Sequence, residues 1–174
     1  MRQLHTAVLA ATFLAAAAIP AVAQQQAAPA APPAPPPPYG APIGLEAAKK
    51  AMAAAEAEAA KNNWSMTIAI LDSTGHLMML HRPETASYAT IRIAQDKAQT
   101  AVDFRLPSKA FQDILAGGGE GLRILGLHGV TPVEGGVPII ADGKLIGGIG
   151  ASGATSAQDA QVATAGVEAI AGKK

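Results

Sequence analysis

Apolar and polar positions in this chain follow two different periods from residue 43 onward. Leu45, Ala48, Met52, Ala55 and Ala59 recur at three- and four-residue steps, with Glu46, Lys49, Lys50, Glu56 and Lys61 mainly on other faces. This spacing predicts an amphipathic helix over 44–61, ended by Asn62-Asn63. Met66 to Leu71 is a short apolar run and predicts a buried strand; Asp72-Ser73-Thr74-Gly75 supplies turn chemistry, and Leu77 to Leu80 predicts a second strand. A connection this short makes the two strands antiparallel, because a parallel crossover needs about a dozen residues or more. Ile91, Ala94, Ala98, Ala101 and Val102 form the stripe of a long helix over 85–104, and Pro107 opens a shorter one over 107–115, closed by Gly117-Gly118-Gly119. Val137–Ala141 and Leu145–Ala151 predict a hairpin turning at Asp142-Gly143, and Thr155 or Ser156 caps a last helix reaching Ala171. The order α-β-β-α-α-β-β-α with antiparallel hairpins predicts an α+β domain, an antiparallel sheet flanked by helices.

The first 42 residues follow neither period. Arg2 precedes an apolar run over residues 7–19, Pro20 breaks it, and Ala21-Val22-Ala23 fits a small-x-small cleavage site. This predicts a secretory signal peptide over 1–23, too short in its apolar core to span a bilayer comfortably, and a periplasmic or secreted product with no integral membrane span after cleavage. Residues 24–42 hold eight of the 13 prolines and read as an extended Pro/Ala/Gln-rich linker, leaving 43–174 as the single domain.

Composition excludes several functions. Thirteen basic residues balance 13 acidic ones, so no basic surface marks a nucleic-acid binder. Six Phe, Tyr and Trp residues in 174 cannot make a base-stacking platform. Without cysteine there is no disulfide framework, thiolate metal site or cysteine nucleophile. Weakly charged, alanine- and glycine-rich helix faces predict a homo-oligomer.

Motifs are few. Gly148-Ile149-Gly150-Ala151-Ser152-Gly153 matches G-x-G-x-x-G, yet no strand follows its helix, so a dinucleotide site lacks its βαβ context; close packing of strand on helix explains the glycines better. Two glycine-rich loops, around Gly118 and around Gly135-Gly136, either shape the chain or line a small pocket. His76, His81 and His128 lack metal-ligand spacing, and no G-x-S-x-G elbow appears.

Four stretches in order carry a resemblance: Ile70-Leu71-Asp72-Ser73-Thr74-Gly75-His76-Leu77; Ala94-Gln95-Asp96-Lys97-Ala98-Gln99-Thr100-Ala101; Gly117-Gly118-Gly119-Glu120-Gly121-Leu122 leading to Gly135-Gly136-Val137-Pro138-Ile139; and Gly147 to Gly153 with Asp159 downstream. Over about 44–171 the chain resembles the GlcG/HbpS family of haem-binding and suspected haem-degrading proteins, related to the carboxy-terminal domain of PduO-type adenosyltransferases. The resemblance implies a profilin- or PAS-like α+β fold, self-association, and a haem or related tetrapyrrole as ligand. It leaves two functional classes open: a carrier, scavenger or sensor partner, and an enzyme acting on a small organic substrate or on haem itself.

A haem site needs an apolar wall, a cation for the propionates and an axial donor. On that implication, Leu122, Ile124, Leu125 and Leu127 form the wall beside His128, the expected iron ligand, with His81 beside Arg82 as the rival. Arg105 and Lys109 flank Ser108 at a helix start, where amide ends favour an anion, and Gly118, Gly135 and Gly136 complete the expected binding set.

Overall fold

The computed structural model describes residues 35–171; the predicted signal segment, the linker as far as residue 34 and residues 172–174 lie outside the described residues. The elements are α1 (Leu45–Lys61), β1 (Thr67–Asp72), β2 (Leu77–His81), α2 (Ala89–Phe104), α3 (Ser108–Ala116), a 3₁₀ helix (Gly119–Gly126), β3 (Gly136–Ala141), β4 (Lys144–Ser152) and α4 (Ser156–Ile170). The class is α+β, as the patterning predicts. None of the described helices is long and apolar enough to cross a membrane.

The four strands form one antiparallel sheet in the order β2-β1-β4-β3. Both predicted hairpins are present, and the central pairing joins them: β1 runs against β4 from Thr67 opposite Ser152 to Asp72 opposite Gly147. Residues alternate between faces along a strand, so β1 feeds two cores. Ile68 and Ile70, with Ile149 and Ala151, pack under α1 and α4. Ala69 and Leu71 pack against Ala94, Ala98 and Val102 of α2. Burial on both faces is why β1 reads as a continuous apolar run rather than an alternating one.

The G-x-G-x-x-G stretch is a packing device. A Cβ on Gly148 would lie 2.8 Å from both the Ala98 carbonyl and Val102 Cγ2, and one on Gly150 would lie 2.7 Å from the Ala98 amide and closer still to the Ala94 carbonyl. The bare backbone of β4 lets the alanine stripe of α2 sit directly on the sheet.

Three details depart from the sequence expectation, and a fourth decides between two alternatives it left open. First, α2 begins at Ala89, not near residue 85. Arg82 Nη1 donates to the Pro83 carbonyl (3.1 Å) and the Ala86 carbonyl (2.8 Å), and the guanidinium stacks 4.9 Å from the Tyr88 ring centre, so residues 82–88 wrap around it instead of starting a helix. Second, a 3₁₀ helix begins in the glycine run, whose sequence predicts only a glycine-rich loop. Third, the end of the proline linker belongs to the folded body. Gly40 N donates to Leu145 O (2.7 Å), Leu145 N to Pro38 O (2.9 Å), and the Tyr39 hydroxyl reaches the Val102 and Asp103 carbonyls at the end of α2 (3.1 and 2.9 Å). Fourth, of the two candidate caps for α4, Thr155 is the cap, in a reciprocal capping box with Gln158.

Candidate functional site

Three of the four family-like stretches meet at one buried node. Lys97 lies on the buried stripe of α2, at helical spacing from Ala94 and Ala101, and is 1% exposed. Its ammonium donates to Asp159 Oδ2 (2.7 Å) and to the Ala151 carbonyl (3.2 Å). Asp159 Oδ1 accepts the Ala154 amide (3.1 Å), which ties the start of α4 to the end of β4. Burial pushes the Asp159 carboxyl above its ordinary range, against the opposing pull of the Lys97 hydrogen bond and charge. The 2.7 Å charge-assisted contact from Lys97, with an amide on the second oxygen, favours the ionised carboxylate and opposes that push.

Gly135 and Gly136 cover this node. A Cβ on Gly135, whose φ is +127°, would lie 2.8 Å from Lys97 Nζ, and one on Gly136 would overlap the Lys97 carbonyl. Ser108 is fully buried; its hydroxyl donates to Val133 O (2.7 Å) and accepts from Gly136 N (2.9 Å). Ser108, Gly135 and Gly136, expected at a ligand, are buried in this fold and tie the 133–136 loop to α2 and α3. Small residues that permit close approach look the same in sequence whether a ligand or the chain's own backbone approaches.

The two candidate histidines lie on opposite sides of the sheet. His81 ends β2, opposite Ile68, and its Nδ1 lies 2.6 Å from Glu56 Oε1 of α1. His128 follows the 3₁₀ helix in an exposed turn anchored to α2, where the buried Thr100 hydroxyl donates to Gly129 O (3.2 Å) and accepts from Thr131 N (2.8 Å). The two cannot serve one iron together. Among the described residues His128 takes part in no side-chain hydrogen bond or ion pair.

The stretch from the end of α2 to β3, which carries His128, exposes many apolar side chains. Leu106, Ile114, Leu122, Leu125, Leu127 and Val133 are six of the twelve large hydrophobics exposed among the described residues, with Leu125 at 68% and Leu122 at 54%. Leu122 and Leu125 stand three apart, on one face of a 3₁₀ helix. Ile124, expected in the same wall, turns inward instead and is buried. Gly118 opens the 3₁₀ helix at φ +63° with free space where a Cβ would stand.

The expected cations are differently placed. Arg105 packs on the Tyr39 ring at 5.0 Å and donates to Pro37 O (3.3 Å), so it serves the linker strap. Lys109 holds Asp113 (2.7 and 2.8 Å), which raises its pKa through that hydrogen bond, and Arg123 holds Glu120; both pairs are exposed. Exposed pairs of this kind exchange partners at little cost, so Lys109 and Arg123 remain available to an anion.

Sequence reasoning missed the Lys97–Asp159 pair and the His81–Glu56 pair. The first had a signal: a lysine inside an alanine stripe must be buried and must find a carboxylate. The second had none, because Glu56 reads as a solvated position of α1 until the helix is laid against the sheet edge.

Residues 43–168 match the family described as haem degrading protein HbpS-like. The GlcG protein of Escherichia coli K12 is 40% identical over 101 residues, which is 58% of this chain and 74% of that protein. The crystal structure of HbpS superposes with a TM-score of 0.69 at 30% identity, covering 75% of this chain and 92% of that one. A PduOC–haem complex superposes with a TM-score of 0.67 at 27% identity, covering 74% and 95%. With the match spanning most of the described fold, including the Lys97–Asp159 node and the glycines that cover it, this chain belongs to the HbpS-like family.

Proposed function

We propose that this chain is an exported haem-binding protein that holds the tetrapyrrole against the exposed apolar surface of α3 and the 3₁₀ helix, where His128 would supply the nitrogen donor to the iron. Family membership and the haem complex of a structural relative support haem as the ligand class. The observation that carries the site is the concentration of exposed leucines beside a histidine without a side-chain partner. The residues fit the group: Leu122, Leu125 and Leu127 offer an apolar wall, His128 a nitrogen donor, and Lys109 and Arg123 cations for the propionates. The bound iron would supply redox and ligand-exchange chemistry. With no aromatic residue among the exposed side chains of this surface, binding is moderate in strength, as suits a carrier, scavenger or sensor partner. A second copy of the chain covers the open side of the same apolar surface in a homo-oligomer.

Haemin titration tests this reading. A saturable Soret band is expected, weakened about tenfold or more by Leu125→Glu, which puts a charge into the apolar wall. Equal binding by wild type and Leu125→Glu would overturn the site. A Soret band that persists under ascorbate supports a carrier; its progressive loss would replace that role with the degradation named in the family description. Light scattering should give a multimer. Export is read by intact mass of the protein from its native host: a mature chain beginning at Gln24 is expected, and one retaining Met1 would refute it.

A further inference from the structure

On the opposite face of the sheet from His128 lies a cavity of about 240 Å³, lined by Glu56, Ala59 and Ala60 of α1, Trp64, Met66 and Ile68 leading into β1, and His81 and Pro83 at the end of β2. It is too small for a tetrapyrrole, since even drug-sized ligands occupy roughly 300–1,000 Å³. A dry apolar cavity of about 150 Å³ already takes up benzene, so this one has room for a single aromatic ring with a small substituent.

Its walls are apolar except at one corner. There His81 Nδ1 lies 2.6 Å from Glu56 Oε1 in a half-exposed pair. In that contact Nδ1 is the donor, so neutral His81 carries its lone pair on Nε2, an acceptor for a ligand O–H. The Glu56 charge beside it disfavours anionic ligands. Trp64 supplies an aromatic wall, and aromatic rings gain from one another beyond simple area burial.

We infer that this cavity is a binding site for small neutral phenols, the ring lying among Trp64, Met66 and Ile68 and the hydroxyl donating to His81. The site is separate from the haem surface and does not depend on it. Trp64 is the only tryptophan in the chain, so its emission, excited at the red edge where phenols do not absorb, reports occupancy directly.

The experiment titrates the full chain with p-cresol, toluene and benzoate at about pH 8, where an imidazole is ordinarily neutral. Saturable change in Trp64 emission is expected, with p-cresol binding about tenfold tighter than toluene, the worth of one hydrogen bond. His81→Leu should remove that preference while keeping toluene binding. Ala60→Phe, a substitution at an exposed helix position, should block both ligands while leaving the circular dichroism unchanged. No saturable response, equal affinity of the wild type for p-cresol and toluene, or tighter binding of benzoate would each overturn the assignment.

Discussion

Replacing Gly150 with alanine puts a single methyl group against the backbone of α2. The nearest atoms are the Ala94 carbonyl oxygen and the Ala98 amide nitrogen, the latter at 2.7 Å. In a helix these two atoms form one i to i+4 hydrogen bond, so neither can swing aside without opening that turn. Relief requires α2 to withdraw from β4 by about 1 Å or more, set by the still closer Ala94 carbonyl, since non-bonded carbon contacts settle near 3.5–4.0 Å. A gap of that size forfeits about a quarter to a half of the dispersion energy across the contact, along the stripe where Ala94, Ala98 and Ala101 are fully buried. Overpacking of this kind costs about 1–3 kcal/mol, and a backbone obstacle places Gly150→Ala at the upper end or beyond. The entropic gain from removing a glycine, about 0.4–1 kcal/mol, does not offset it. For a domain of this size about 3 kcal/mol lowers Tm by roughly 10 °C. Gly126→Ala, with nothing within 4 Å of the new methyl, is the control and should melt at or slightly above the wild-type temperature. Urea and thermal unfolding followed by circular dichroism measure both. A Gly150→Ala protein that melts within a degree or two of wild type would refute the packing argument.

Lys97→Met leaves Asp159 buried without its cation and should cost about 3–5 kcal/mol near neutral pH. Burial already holds that carboxyl above its ordinary value of 3.8, and loss of Lys97 raises it further. The folded state then binds a proton more readily than the unfolded state, so the deficit should shrink as pH falls from 7 toward 4; a deficit constant over that range, by urea midpoints, would contradict this. Tyr39→Phe removes the hydroxyl that ties the strap to the end of α2 and should cost about 1 kcal/mol, with faster proteolysis near residues 37–42; unchanged cleavage would show that the backbone bonds to Leu145 hold the strap alone.

Local pattern made most of the fold legible. The alanine stripes, the Asp142-Gly143 turn and the Thr155 cap each express a short-range rule, and the structure places their elements within a few residues of the reading. The pairing of β1 with β4 lies beyond such rules, because it joins strands some 80 residues apart through a register that only the assembled sheet defines. The 3₁₀ helix escaped because Gly119-Glu120-Gly121-Leu122 has neither helical propensity nor a 3.6-residue stripe. At the candidate site the residue types are legible in the sequence and their surroundings are not. Ser108, Gly135 and Gly136 serve the chain's own backbone, Arg105 serves the Tyr39 strap, and the carboxylate that orients His81 comes from a helix whose sequence gives no hint of the contact.

Haem ligation on the α3 surface is tested most directly by comparing the Soret spectra of haemin bound to wild type, His128→Ala and His81→Ala. The expected result is a Soret maximum shifted or abolished by His128→Ala and unchanged by His81→Ala, since the cavity beside His81 is too small for the ring. A spectrum that responds to His81→Ala and not to His128→Ala, or to neither, would contradict the assignment.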